Sequence, residues 1–337
     1  MSRPFFSLII PCYNTGEKIR RIFNSLEMQN IGKDDIEIIV VDDNSTDLSY
    51  RDIVREYDFN CIFAETDVEI HCPGNTRREG MKYVTGEWLC FCDHDDYFES
   101  NALFNVKSYI QNLNHKAYII STIMNGYDED KHKYGTVFAH KSAWLHGKFY
   151  SMDNLIKPYN LNFRKDLVTH EDIYFNSSTL SVLFSIGQDW DYLDVSTYRW
   201  VDNPDSITRQ KRDDRGYLYE NFNDYIVSAS EPFWDRAKKT GAYIYINQIM
   251  MTILHSYFYY EAVSYYEGPD DYRDIVEDIR QFIKKVMAEF NFEPNHIIDF
   301  VYADPYKYEK VLEDCCIYVG KFIPKTSFKD FVTRLAN

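Results

Sequence analysis

The sequence predicts an α/β chain: a mainly parallel sheet flanked by helices on both faces, followed by a mainly helical C-terminal region. Three observations carry that expectation. Up to residue 123, short apolar runs alternate with amphipathic stretches, the pattern of strand–helix–strand units. Acidic residues fall just past the ends of those apolar runs, at Asp42 and Asp43 and again at Asp93, Asp95 and Asp96. From Tyr217 onward the apolar residues recur at helical spacing.

In chain order, residues 6–11 read as a strand. Residues 17–28 read as a helix with Ile19, Ile22, Phe23 and Leu26 on one face. A second buried strand at 36–41 runs into Asp42-Asp43, and a helix is expected at 48–57. A third, shorter strand at 61–64 precedes a helix at 76–84. Residues 88–92 form a fourth strand, on which Cys90 and Cys92 share a face. A helix at 102–113 and a strand at 117–123 complete the alternation. Residues 124–216 are less regular and rich in His, Lys, Tyr and Asp. Residues 242–266 read as a buried helix despite Asn247, Gln248, His255 and Glu261, and 271–290 as an amphipathic surface helix. There is no internal repeat and no low-complexity segment.

A chain of 337 residues can bury a sizeable core in about two domains of ~150 residues each. The boundaries expected are 1–216, divided into halves 1–123 and 124–216, and 217–337. A net charge of −16 argues against a broad electrostatic grip on nucleic acid; a small anionic substrate would need a metal or local Arg and Lys groups. The 29 Tyr and 23 Phe are expected mainly in the core, with sugar stacking as a lesser use. The seven cysteines follow no zinc spacing, which fits reduced thiols in a cytosolic protein. No signal peptide opens the sequence, and no apolar run approaches the ~18 residues of a membrane span. A cytoplasmic location is therefore expected, with peripheral membrane contact left open.

The run Trp88-Leu89-Cys90-Phe91-Cys92 ends abruptly in Asp93-His94-Asp95-Asp96. Crowded carboxylates at the end of a buried strand repel one another unless a proton or cation sits among them. Such oxygen-rich clusters suit Mg2+ or Mn2+, and a metal there could hold a diphosphate. The bland alternative is a solvated turn. In open α/β sheets, however, ligands bind beyond the carboxyl ends of the strands, and Tyr13, Asp42, Asp43 and the 93–96 cluster all lie just past such ends.

Several ordered motifs resemble the family-2 glycosyltransferases of the GT-A fold. Ser7-Leu8-Ile9-Ile10-Pro11-Cys12-Tyr13-Asn14 is similar to that family's opening strand, and Val40-Val41-Asp42-Asp43-Asn44-Ser45-Thr46-Asp47 to its second strand end. Pro73-Gly74-Asn75-Thr76-Arg77-Arg78-Glu79-Gly80 is similar to its glycine-and-arginine helix start. Gly86-Glu87-Trp88 leading to the acidic cluster resembles its metal-binding strand. His146-Gly147-Lys148-Phe149-Tyr150 and His170-Glu171-Asp172 resemble its acceptor-side motifs. Tyr198-Arg199 with 203–208 resembles the segment closing the catalytic domain. The resemblance covers 4–212; nothing after Tyr217 contributes.

The resemblance implies a Rossmann-like GT-A domain that transfers a sugar, with inversion, from a nucleotide donor. It places donor binding at Pro11, Tyr13, Asp42, Asp43, Arg77 and Asp93, with Lys148 and Arg199 as candidates for the diphosphate or for structural ion pairs. Tyr13 can stack on a base and Asp43 can accept from a base N–H. Asp93 and Asp95 would hold Mn2+ or Mg2+, with Asp96 as a third carboxylate or a helix cap. Asp172 matches the base position, and Glu171 is the alternative base; an ordinary acidic helix start is the reading against both. Asn14 and Asn44 suit turns, and Asp47 suits a helix cap. Arg78 stands where the family commonly has Asn, and a solvated charge is one reading of it. Arg209, Lys211 and Arg212 could form a mobile basic lid or a plain solvated run. Trp144 and Trp200 suit core packing or a sugar face.

The reading is a metal-dependent hexosyl- or related transferase using a nucleotide-sugar donor, a UDP-sugar foremost. A glycan, glycolipid or other hydroxyl would accept, and the helical C-terminal part would serve acceptor binding, docking or self-association as a homo-oligomer. The alternatives are a transferase acting on a modified nucleic-acid base, which needs a basic groove the sequence does not show, and a non-catalytic nucleotide- or glycan-binding module. A sugar nucleotidyltransferase would want a Gly-rich phosphate loop, and 12–16 is a poor one.

Overall fold

A computed structural model describes residues 3–128, 133–138, 144–201, 215–242, 244–246, 248–250 and 273–291. The first apolar runs form β1 (Phe6–Cys12), β2 (Ile36–Asp42), β3 (Asn60–Glu65) and β4 (Trp88–Phe91). They pair in parallel in the order β3-β2-β1-β4. Side chains alternate across the sheet. Phe6, Leu8 and Ile10 enter one core with Ile38, Val40, Cys90 and Cys92, while Ile9, Ile39, Val41, Leu89 and Phe91 enter the other. Both faces are therefore apolar, which is why these strands read as unbroken apolar runs.

Helices α1 (Ile19–Glu27), α2 (Tyr50–Arg55) and α4 (Ala102–Asn112) cover the first face. The second is covered by α3 (Pro73–Gly80), a π-helical turn at Met152–Ile156 and α5 (Glu171–Ser185). Gly80 lets α3 settle on the sheet: a Cβ there would stand 2.8 Å from Ile9 Cγ2. Phe163 stacks on Phe175 of α5 at 4.5 Å, and Phe91 meets both rings edge-on at 5.5 and 5.8 Å. Each such pair adds about 0.5–1.5 kcal/mol beyond its buried area.

The stretch expected to be irregular is more ordered than the sequence implies. It contains the second half of β6 (Ile119–Asp128), then β7 (Lys133–Phe138), β8 (Lys148–Ser151), α5 and β9 (Asp191–Val201). With β5 (Tyr97–Phe98) these extend the sheet to nine strands, β3-β2-β1-β4-β8-β6-β9-β5, with β7 also on β6. Here β8 runs antiparallel to β4 and β6, while β9 runs parallel to β6 and antiparallel to β5. Alternation in β9 is broken by register shifts against β6, which hides the strand period. The expected α/β class, a sheet flanked by helices, stands; the sheet is mixed, parallel from β3 to β4 and between β6 and β9 and antiparallel at its other pairings.

Element ends moved by a few residues. The helix expected at 76–84 begins at Pro73, because proline suits the first helical turn, and that at 48–57 contracts to α2.

The chain divides into two compact units, Met1–Lys211 and Arg212–Asn337. In the second, α6 (Arg215–Thr240) carries Trp234, whose ring lies 5.7 Å from Phe282 and 5.0 Å from Phe290. Phe282 belongs to a helix over Arg273–Glu289, as expected for 271–290. Of the helix expected at 242–266, residues 244–246 and 248–250 are helical, Ala242 is not, and the others lie outside the described residues. So do the 203–208 motif, Arg209, Lys211, Arg212, Cys315 and Cys316. No described helix is long and apolar enough to cross a membrane.

Candidate active site

The carboxyl ends of β1 and β2 form a shelf held by turn chemistry. Asn14 and Asn44 adopt left-handed backbone, with φ 45° and 62°, a conformation asparagine tolerates. Asn14 Oδ1 accepts from Thr46 N at 2.9 Å, Thr46 Oγ1 at 3.1 Å and Asp47 N at 3.2 Å. Asp42 is buried and its Oδ2 accepts from Ser45 N at 2.8 Å, so it braces this loop. Asp43 Oδ1 accepts from Thr66 Oγ1 at 2.8 Å and lies 3.0 Å from His71 Nδ1. Tyr13 is 58% exposed beside them. The Pro11 carbonyl lies 3.2 Å from His94 Nδ1, linking the shelf to the acidic turn. Asp47 makes a capping bond to the turn that leads into α2, as expected. Its carboxylate turns onto Ser49, accepting from N and Oγ at 2.9 Å, and Ser49 takes the position before α2.

Past β4 lies a cluster of very different character. Arg77 is buried, donating through Nη1 to Glu171 Oε1 at 2.5 Å and through Nη2 to Asp93 Oδ1 at 2.6 Å. Gly74 permits this. A Cβ there would stand 2.7 Å from Glu171 Cβ, so only glycine lets the start of α3 meet the start of α5. Burial by itself would raise the Asp93 carboxyl, but Arg77 and His146 outweigh it and hold it well below the carboxylate range. Asp172, next to Glu171, is pushed up to about 7 by burial and by the Glu171 charge, although it accepts from Ile173 N at 2.7 Å.

Of the three carboxylates in the acidic turn, Asp93 and Asp96 converge with His146, their ligating atoms all within 4.8 Å of one another. His146 Nε2 lies 3.3 Å from Asp93 Oδ2. Two carboxylates and an imidazole suit Mn2+. The expected partner of Asp93, Asp95, lies outside that group, at the same turn, with its carbonyl accepting from Arg21 at 3.1 Å. Asp96 does not cap α4, which Asn101 precedes. Its Oδ1 accepts from Val201 N at 2.8 Å and its Oδ2 from the Tyr198 hydroxyl at 2.5 Å. Burial, then the charges of Asp93 and Asp95, push the Asp96 carboxyl well up.

Other expected residues are engaged by neighbouring groups, and Lys148 lies within electrostatic reach of Asp172. Lys148 is buried on β8, donates to the Trp144 carbonyl and lies 5.3 Å from the centre of the Trp190 ring; burial pushes its ammonium down to about 7. Arg199 pairs with Glu99. Arg78 is not a solvated charge: it donates to the Phe163 carbonyl at 2.6 Å from a part-buried position. Trp200 packs on the first core, whereas Trp144 is 44% exposed. Sequence spacing gave no sign that His146 and Tyr198 reach the acidic turn, because strands β8 and β9 bring them there.

The profile of the family described as Glycosyl transferase family 2 matches residues 7–184, just over half of the chain. The chain belongs to glycosyl transferase family 2. Its relatives include the poly(ribitol-phosphate) beta-glucosyltransferase of Bacillus spizizenii, 41% identical over 100 residues, and the poly(ribitol-phosphate) beta-N-acetylglucosaminyltransferase TarS of Staphylococcus aureus, 35% over 107. Those alignments take in 29% and 31% of this chain and 16% and 18% of those proteins, so less than a fifth of each relative's length is matched. The crystal structure of S. aureus TarS 1-349 with UDP-GlcNAc superposes with a TM-score of 0.65 at 20% identity, over 87% of this chain and 88% of that one. At that identity the match speaks for the fold. The expected GT-A family and architecture are thus confirmed.

Proposed function

We propose that this family-2 chain is an inverting glycosyltransferase that moves a sugar from a nucleoside diphosphate, UDP foremost, to a hydroxyl of a glycan acceptor. The observation that carries the reading is the pairing of a clamped and an unclamped carboxylate at the start of α5. Glu171 is engaged by Arg77 at 2.5 Å, which ties the start of α5 to α3. Asp172, raised to about 7, is matched to accept a proton from an acceptor hydroxyl near neutral pH. A single base without a covalent nucleophile gives one in-line displacement and inversion.

On the donor side, Tyr13 offers an exposed ring for a base, and Asp43, steadied by Thr66 and His71, accepts a base N–H. Asp42 and Pro11 shape the loop beneath. The set Asp93, Asp96 and His146 fits Mn2+ or Mg2+, with Asp95 at the same turn as a further carboxylate. A bound cation of this kind neutralises charge on a departing diphosphate. Arg77 holds Asp93 in place and sets its distance from α5. Residues 1–123 would then serve the donor, 124–216 the acceptor, and 217–337 acceptor docking or self-association. The names of the relatives point to a hydroxyl-bearing polyol-phosphate polymer as acceptor class. A non-catalytic binding module would have no use for Asp172 held near neutrality.

The test is a thermal-shift panel of UDP, GDP, CDP and TDP, with and without Mn2+, on the wild type, Asp93→Ala and Asp95→Ala. Binding to the native state raises Tm. UDP should give the largest shift, dependent on Mn2+ and lost in Asp93→Ala. Absence of any shift in the wild type would remove the donor site from the account.

A further inference from the structure

We infer that Tyr198 is a positioning residue that fixes the ligand geometry of Asp93, Asp96 and His146; the inference rests on the metal reading above. One side chain touches all three. The Tyr198 hydroxyl donates to Asp96 Oδ2 at 2.5 Å and accepts from the Asp93 backbone N–H at 3.2 Å. Its ring stacks on His146 with centroids 4.7 Å apart and planes 25° apart. His146 in turn lies 3.3 Å from Asp93 Oδ2.

Tyr198 is fully buried, edge-on to Phe98 at 5.9 Å. Phenylalanine would fill that volume without a hydroxyl to bury, and a buried hydroxyl is costly unless bonded. Its bonds to Asp96 and to the Asp93 N–H hold the acidic turn, and it also meets the Cys92 thiol just before that turn. The same strand supplies Val201 N to the other Asp96 oxygen, so β9 orients both oxygens of that carboxylate. Groups behind a metal's ligands set their orientation, and their loss weakens binding about 10- to 100-fold. Tyr198 occupies such a place, although it lies about a hundred residues along the chain from the turn it holds.

The experiment is a Mn2+ titration in the presence of UDP, read by the electron paramagnetic resonance signal of free Mn2+, on wild type and Tyr198→Phe. The phenyl ring keeps the stack on His146, and melting temperature reports the fold. A folded variant that binds Mn2+ about 10- to 100-fold more weakly supports the inference. Wild-type binding with an unchanged Tyr198→Phe variant overturns it alone; a wild type that binds no Mn2+ overturns the metal reading as well. Hydrogen exchange on the wild type is independent of the variant's folding. Mn2+ with UDP should slow exchange in a peptide spanning 198–201, and unchanged exchange there contradicts the inference.

Discussion

The shelf past β1 and β2 and the cluster past β4 sit at the same edge of one sheet, yet they are built by opposite means. The shelf is made by loops that follow the strands: Asp42 bonds within its own turn to Ser45, Asn14 reaches across to 46 and 47, and Asp43 reaches Thr66 and His71. Its links are hydrogen bonds between neutral loop groups and two aspartates, with an exposed tyrosine beside them. The cluster draws Arg77, Asp93, His146 and Glu171 from four segments into a buried charge network. Recognition of a planar base needs shape and a few hydrogen bonds, which turns supply cheaply. Managing a proton and a charged leaving group needs carboxylates whose affinities for protons differ, and only burial with a shared cation separates them.

Substitutions should separate the two regions. Arg77→Met leaves the buried Glu171 and the part-buried Asp93 without their cation, and breaking a buried pair costs about 3–5 kcal/mol; denaturant melts should show a loss towards that range. A loss within the range of a surface ion pair, about 0–1 kcal/mol, would mean the cluster is a solvated face. On the shelf, Asp43→Asn should weaken nucleotide binding by about 1.5–3 kcal/mol, the worth of a hydrogen bond to a charged group, with the fold intact. Calorimetric titration with UDP reads this directly, and unchanged affinity would remove Asp43 from base recognition.

The contrast also extends to pH. Asp172 in the folded chain titrates near 7, above its ordinary 3.8. The stability this raised value supplies is fully present below the unfolded value and is lost as pH rises through about 7. Asp172→Asn has no such group. Its stability relative to the wild type should therefore rise between pH 4 and 8, by on the order of 1–2 kcal/mol once solvent screening is allowed for. A difference flat with pH would place Asp172 in a solvated setting.

The smallest effect belongs to Lys148, which the family pattern puts at the donor and the structure puts beneath Trp144 and Trp190. Replacing a buried ammonium by a side chain of similar volume is often neutral or stabilising. Lys148→Met should keep Tm and UDP affinity within error; a fall in UDP affinity at constant Tm would return it to the donor site.

The same contrast explains what the sequence discloses. The four parallel strands announce themselves because both faces are apolar, and the shelf residues because they follow those strands within a few positions. Asp93 and Asp172 stand out by residue type in ordered motifs. Tyr198 belongs to such a motif too, but on a strand whose alternation is broken by register shifts nothing in the sequence ties it to the acidic turn. Arg77 was readable as a cation near a helix start. That it joins Glu171 to Asp93 depends on Gly74 letting two helix ends touch, a contact between segments about a hundred positions apart. For Lys148, a cation in a matching motif gives no sign of how deeply its strand is covered.

The central claim is that Asp172 takes the acceptor proton while the shelf and the metal group hold the donor. Its most direct test is Asp172→Asn, assayed in parallel for UDP-sugar affinity by calorimetry and for sugar transfer to a polyol-phosphate acceptor. The account predicts transfer reduced about 10²- to 10⁴-fold with donor affinity unchanged. Transfer at the wild-type rate from a variant that binds donor normally would contradict it.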